Sequence, residues 1–157
     1  MYLHRLCDWM AAILRVFAWV AFAALITTVG LQVLARNILH EPMIWTGDVA
    51  QLLFTWLIFL GAGAGLRSGS HYTVDLLPMD KPLVKAFTGW TGLIGGVLVA
   101  LIMLIHGWEL AVIRSSAPIQ TVGISRFWMY LPIPLCGAVM LLFLAEIAKD
   151  LIIRRDA

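Results

Sequence analysis

Apolar residues do not alternate with polar ones along this chain. They run in blocks, and the four long blocks cover residues 16–35, 49–66, 86–113 and 127–148. A hydrocarbon layer of about 30 Å takes about 20 residues of α-helix, and each block reaches or approaches that length. The third exceeds it, so that helix is expected to tilt or to project. Backbone polar groups in lipid must be bonded within their own segment, which selects helices over open strands. The joints between blocks are short and leave no room for a soluble domain. The pattern predicts one all-α integral membrane domain over 1–157, with four transmembrane helices and short interfacial segments.

The joints hold most of the polar residues. Residues 1–15 read as an amphipathic lead-in carrying His4, Arg5, Asp8 and Arg15. Basic residues before an apolar run also open a signal peptide. Here the run ends in Gln32 and Arg36 rather than a small-residue cleavage site, and more membrane follows, so a retained first helix is expected. Thr27 and Thr28 should bond back to their own helix. The Gln32 amide is costly in lipid and should face another helix. Pro42 should interrupt the chain. Thr46 can then cap the second span, with Asp48 in its first turn at the positive end of the helix dipole. A contact from Asp48 to an extracytoplasmic partner is the other reading.

The second block closes in LGAGAGLRSGS, where Gly61 and Gly65 stand four apart, and the third carries Gly89, Gly92, Gly95 and Gly96. Such faces let another helix approach closely, within the bundle or on a partner. Residues 71–85 are too short to cross and too apolar for a free loop, so they should lie along the interface, broken by Pro78 and Pro82. Pro132 and Pro134 should disturb the first turns of the fourth span. Glu146 sits three residues before Lys149, a favourable pair spacing on a helix.

Composition sharpens this picture. The chain is 62% hydrophobic and 13% charged, against about 25% charged in soluble domains. A soluble fold of 157 residues could not hide that apolar surface. The net charge of +2 does not point to nucleic acid, because the basic residues sit at the membrane edges. Cys7 and Cys136 make neither a disulfide framework nor a metal site.

Charge also orients the chain. Arg5, Arg15, Arg67, Lys81, Lys85, Lys149, Arg154 and Arg155 fall on one side, and Arg36, Arg114 and Arg126 on the other. Eight against three places both termini and the middle joint in the cytoplasm. Arg15 lies inside the first span and can snorkel to the interface. Trp45, Trp108, Phe127 and Trp128 fit an outer aromatic belt, and Trp9 an inner one.

Ionisable residues deep in a span are the usual mark of a transport or catalytic site, and the centres of these four blocks have none. His106 reads as an interfacial histidine one turn from Glu109. A haem held by two histidines needs them at similar depth, whereas His106 and His71 lie near opposite sides. A proton-coupled exporter needs a carboxylate near mid-membrane, and Asp48 and Glu146 are at the ends. No nucleophile–base set or phosphate loop is visible. No enzyme activity and no cofactor is expected; a subunit of a complex is.

The stretch 36–75 supplies a more specific reading. Arg36, Pro42, Trp45 and Asp48 are followed by Trp56, Phe59, Leu60 and Gly61, then by Arg67, Gly69, His71, Val74, Asp75 and Leu77. This series resembles the small membrane subunit of tripartite ATP-independent periplasmic (TRAP) transporters, the DctQ-like family. One departure is clear: the family pattern has Ser-Glu-Glu after the tryptophan, and this chain has Thr46, Gly47 and Asp48. The middle acid is lost, along with any partner contact it makes in relatives.

The resemblance implies a function. Such transporters of the bacterial inner membrane import organic acids, such as C4-dicarboxylates and sialic acid, on a sodium gradient. A soluble periplasmic protein captures the substrate, and a large elevator-type subunit carries the substrate and sodium sites. The small subunit broadens the scaffold of the large one and helps dock the periplasmic protein. On that reading Arg36, Asp48, Arg114 and Arg126 serve docking, Gly61, Gly65, Gly92 and Gly96 pack on the large subunit, and Arg67, His71 and Asp75 fix the cytoplasmic edge. The alternatives are the small subunit of a tripartite tricarboxylate transporter and, from another class, the membrane anchor of a redox complex.

Overall fold

The computed structural model describes residues 2–41, 43–67 and 82–155, with no strand among them. Five α-helices follow one another: α1 (Tyr2–Leu34), α2 (Ile44–Arg67), α3 (Pro82–Ile113), the single turn α4 (Phe127–Tyr130) and α5 (Pro132–Arg155). Four stretches are long and apolar enough to cross a membrane: His4–Ile38, Ile44–Arg67, Gly89–Ser116 and Phe127–Lys149. The all-helical, four-span reading therefore holds.

The boundaries differ from expectation at two places. The lead-in is not separate: α1 runs unbroken from Tyr2. The stretch has no proline, and Cys7 and Leu14 are buried against the rest of the bundle, so packing carries the helix through its polar positions. At 1.5 Å per residue α1 is about 50 Å long, well beyond one hydrocarbon thickness. It closes in a π-helical turn, Ala35–Leu39, that ends on His40 in the left-handed region at φ 55°. Second, α3 begins at Pro82, a residue suited to the first helical position because its missing N–H would have no partner there. Residues 82–85 thus join α3 rather than an interfacial segment; the rest of that segment, with His71 and Asp75, lies outside the described residues. As expected, the proline pair divides the last span, into α4 and α5.

The helices are ranked α1, α2, α5, α3. Each packs on its neighbours, and among the described residues α3 does not touch α1 or α2. Of the fourth apolar stretch 44% is buried, against 11–17% for the other three. α5 is therefore the central helix, holding Cys136, Val139, Phe143 and Leu144 inside. α1 and α3 form the flanks and turn large side chains outward, including Trp9, Trp19 and Val20 on one and Ile94, Leu98 and Ile105 on the other.

Glycine sets the α3–α5 approach, at positions the four-residue spacing did not single out. A Cβ on Gly137 would stand 2.7 Å from the Ala100 carbonyl oxygen and 2.8 Å from the Leu104 nitrogen. One on Gly107 would meet Ile133 at 2.7 Å. Gly63 faces Cys136 and Val139 across the α2–α5 contact. Gly61 and Gly95, by contrast, have nothing within 4 Å. Gln32 is exposed, with no helix over it among the described residues.

Candidate functional site

Both polar ends of the bundle are built, and they are built differently. At the end of α2 that carries Arg67, three helices are tied by one guanidinium. Arg67 donates through Nε to Glu146 Oε2 at 3.1 Å and through Nη2 to Glu146 Oε1 at 3.2 Å. The same Nη2 donates to Asp8 Oδ1 on α1 at 2.7 Å. His4 Nδ1 stands 2.5 Å from Glu146 Oε1. The Arg67 guanidinium also lies 5.6 Å from the centroid of the buried Phe143 ring. Glu146 is only 6% exposed, so it is a buried carboxylate held by a bidentate partner, the geometry in which an arginine is strongest.

This corrects the expected pairing of Glu146 with Lys149. The i,i+3 neighbour is on an exposed face of α5, while Glu146 points into the bundle toward α2. Arg67 is accordingly more than an edge anchor. Asp8 and Glu146, which join it in the cluster, stand in the sequence only as a lead-in acid and a neighbour of Lys149. The signal available was their place at the same end of the molecule as Arg67.

Midway along the bundle a proline creates a second tie. Pro132 has no N–H, so the Trp128 carbonyl four residues earlier has no helical donor. The Trp56 indole on α2 donates to that oxygen at 2.8 Å. Phe17 on α1 stacks beside Trp56, ring centroids 5.6 Å apart.

The opposite end carries a folded loop. Between α3 and α4 the chain makes a small hairpin: Pro118 pairs with Ser125, and Ile119 N–H donates to the Ile124 carbonyl at 2.8 Å. Gly123 turns it, at φ 74°. Ile119 is buried beneath it, and the Ser125 hydroxyl ties its base to the Ser115 carbonyl at 2.6 Å. From the tip, the Thr121 hydroxyl donates to Asp48 Oδ2 on α2. Asp48 is therefore a strap for the hairpin rather than a first-turn acid, since α2 starts four residues before it. Nor is Thr46 the cap: it lies inside the first turn, fully buried, and its hydroxyl donates to the Met43 carbonyl at 2.6 Å.

Asp48 and Arg126, two of the four expected docking residues, line one pocket of about 280 Å³ with Gln51, Ile119, Met129 and Tyr130. Arg36 and Arg114 are exposed, the first in the π-helical turn after α1, the second in the turn after α3. Of the expected packing glycines, Gly61 is open, while Gly65, Gly92 and Gly96 are half-buried. His106 and Glu109 form the expected neighbour pair at 3.1 Å. Thr27 and Thr28 bond back to Ala23 and Ala24, each at 2.8 Å.

Four apolar helices, clamped by charge at one end and carrying a folded polar loop at the other, define a small multi-pass membrane protein. Its sequence places it more closely. The pattern of the family described as tripartite ATP-independent periplasmic transporters, DctQ component, matches residues 25–153, and the chain belongs to that family. It is 28% identical over 143 residues to the sialic acid TRAP transporter permease protein SiaT of Haemophilus influenzae, covering 89% of this chain and 22% of that protein. It is 26% identical over 132 residues to the sialic acid TRAP transporter small permease protein SiaQ of Vibrio cholerae, covering 83% and 69%. With the C4-dicarboxylate TRAP transporter small permease protein DctQ of Pseudomonas aeruginosa it shares 29% over 125 residues, 75% of this chain and 59% of that one. The chain thus spans about a fifth of the first relative's length and 59–69% of the other two.

Proposed function

We propose that this chain is the non-catalytic small subunit of a transporter that imports an organic acid across the bacterial inner membrane on a sodium gradient. Family membership over 25–153 carries the reading. It favours this assignment over the tricarboxylate-transporter and redox-anchor alternatives. Relatives named for sialic acid and for C4-dicarboxylates support small carboxylates as the substrate class.

Two partners follow. The first is a large membrane permease. The matched part of the SiaT permease protein is only 22% of its length, which suits a module that works beside a larger one. The flanks α1 and α3 turn apolar side chains outward, and Gln32 is exposed with no helix over it among the described residues. Gly61, with Gly65, Gly92 and Gly96, would let permease helices approach. The second partner is a periplasmic substrate-binding protein. The lysine and arginine distribution supports a cytoplasmic Arg67 end, together with both termini, His71 and Asp75. The end bearing Arg36, Asp48, Arg114 and Arg126 then faces the periplasm and meets the binding protein.

The test is uptake by cells or vesicles carrying the permease and binding protein, with and without this chain. The proposal expects uptake to collapse without it and the chain to co-purify with the permease. Undiminished uptake by the permease alone would remove the role.

A further inference from the structure

The four polar residues of the proposed docking end are not equivalent. Asp48 is engaged inside its own chain, as the acceptor for the Thr121 hydroxyl. Arg36 and Arg114 stand in exposed turns. Arg126 alone among the basic residues lines the pocket of about 280 Å³, and its guanidinium makes no ion pair among the described residues, Asp48 in the same pocket included. Its backbone is fixed: the N–H donates to the Ala117 carbonyl at 3.0 Å, closing the hairpin, and the residue opens α4. The pocket thus presents an uncommitted fork of N–H donors on a rigid support. Gln51 and Tyr130 beside it add an amide and a hydroxyl.

We infer that this pocket is a carboxylate-binding site, and that its occupant is one aspartate or glutamate side chain of the substrate-binding protein. The inference rests on the docking role proposed above and names the contact that carries it. Three observations favour a carboxylate. The one cation of the pocket, Arg126, makes no ion pair among the described residues, and its one anion, Asp48, accepts from the Thr121 hydroxyl. An arginine fork takes a carboxylate through two parallel hydrogen bonds. Tyr130 and Gln51 can donate to the remaining lone pairs. Asp48, by strapping Thr121, holds the hairpin that carries Arg126 and is a positioning residue rather than a contact. Arg36 and Arg114 act as long-range steering charges, which alter association rate and salt dependence more than affinity.

The test uses the complex of this chain with its permease, and titrates the binding protein against it while recording association and dissociation. Arg126→Gln is expected to weaken binding by about tenfold or more, chiefly through faster dissociation, because a fully engaged charged hydrogen bond is lost. Arg126→Lys, which keeps the charge and loses the fork, should recover only part of the affinity. Arg36→Gln and Arg114→Gln should slow association with little change in dissociation. Arg126→Glu should be rescued by Lys at a single acidic position of the binding protein. Arg126→Gln binding as tightly as the parent, with the parent complex itself binding well, would overturn the inference and leave the docking role standing. A parent complex that does not bind the binding protein at all would overturn both. Arg126 is exposed and unpaired, so its loss should not unfold the chain; Tyr130→Phe, expected to weaken binding by about threefold through one lost hydrogen bond, provides a second reading.

Discussion

Arg67 on α2 grips Glu146 on α5 through two hydrogen bonds, at 3.1 and 3.2 Å, although 79 residues separate them in sequence. The carboxylate is buried and the guanidinium is four-fifths covered. Removing either leaves the other with one more exposed partner, Asp8 for Arg67 and His4 for Glu146. Losing one partner of a buried pair costs about 3–5 kcal/mol, whereas replacing both by apolar groups can be nearly neutral. Glu146→Gln and Arg67→Met should therefore each lower the melting temperature of the detergent-purified chain sharply. The double variant Arg67→Met with Glu146→Leu should recover most of the loss. Asp8, two-thirds exposed, matters less: Asp8→Asn should cost about 1 kcal/mol or less. Equal losses for all three single variants would contradict the clamp.

The Trp56–Trp128 bond gives a sharper test, because its cause is a missing N–H. Trp56→Phe leaves the Trp128 carbonyl without a donor, at a cost of about 1–3 kcal/mol. Pro132→Ala restores the helical donor for the same oxygen. Trp56→Phe should thus be less damaging in a Pro132→Ala background than in the parent. A double-mutant cycle of melting curves reads the coupling, and strict additivity would show that the indole is not serving that carbonyl.

Glycine positions separate internal packing from outward faces. Gly137→Ala would set a methyl 2.7 Å from the Ala100 carbonyl and should cost about 1–3 kcal/mol or more through overpacking. Gly107→Ala should act the same way. Gly61→Ala and Gly95→Ala meet nothing within 4 Å. They should leave the isolated chain unharmed or raise its stability by about 0.5–1 kcal/mol, since alanine suits a helix better. If Gly61→Ala keeps the chain stable yet weakens its recovery with the permease, the α2 face is covered by that partner.

The spans were legible because hydrophobic runs of membrane length have few other uses. The ends were less so. A lead-in with His4, Arg5 and Asp8 reads as a separate segment. Its helix depends on Cys7 and Leu14 finding α2 and α5, which no local signal records. Glu146 was assigned to Lys149 because helical spacing shows neighbours three apart and not partners on another helix. Gly107 and Gly137 escaped for a related reason: Gly107 stands opposite Ile133 and Pro134, and Gly137 opposite the Ala100 and Leu104 backbone, each on a different helix, so neither makes a repeating pattern in its own. The residues proposed for docking were legible as charges at one end. That Asp48 is already used by Thr121, while Arg126 makes no ion pair among the described residues, depends on a hairpin whose closure only the fold reveals.

The hairpin itself can be checked. Thr121→Val removes the donor to Asp48 while keeping the shape. It should speed amide hydrogen exchange across 117–126 and leave exchange in α5 unchanged. Unaltered exchange in the hairpin would mean that Ile119 and the Ser125 ties hold it without the strap.

The account stands most directly on one comparison: substrate uptake into vesicles holding the permease, with the binding protein and a sodium gradient supplied, in the presence and absence of this chain. Uptake that requires the chain, and that falls again when Glu146→Gln undoes the clamp, is the predicted result. Full uptake without the chain would contradict it.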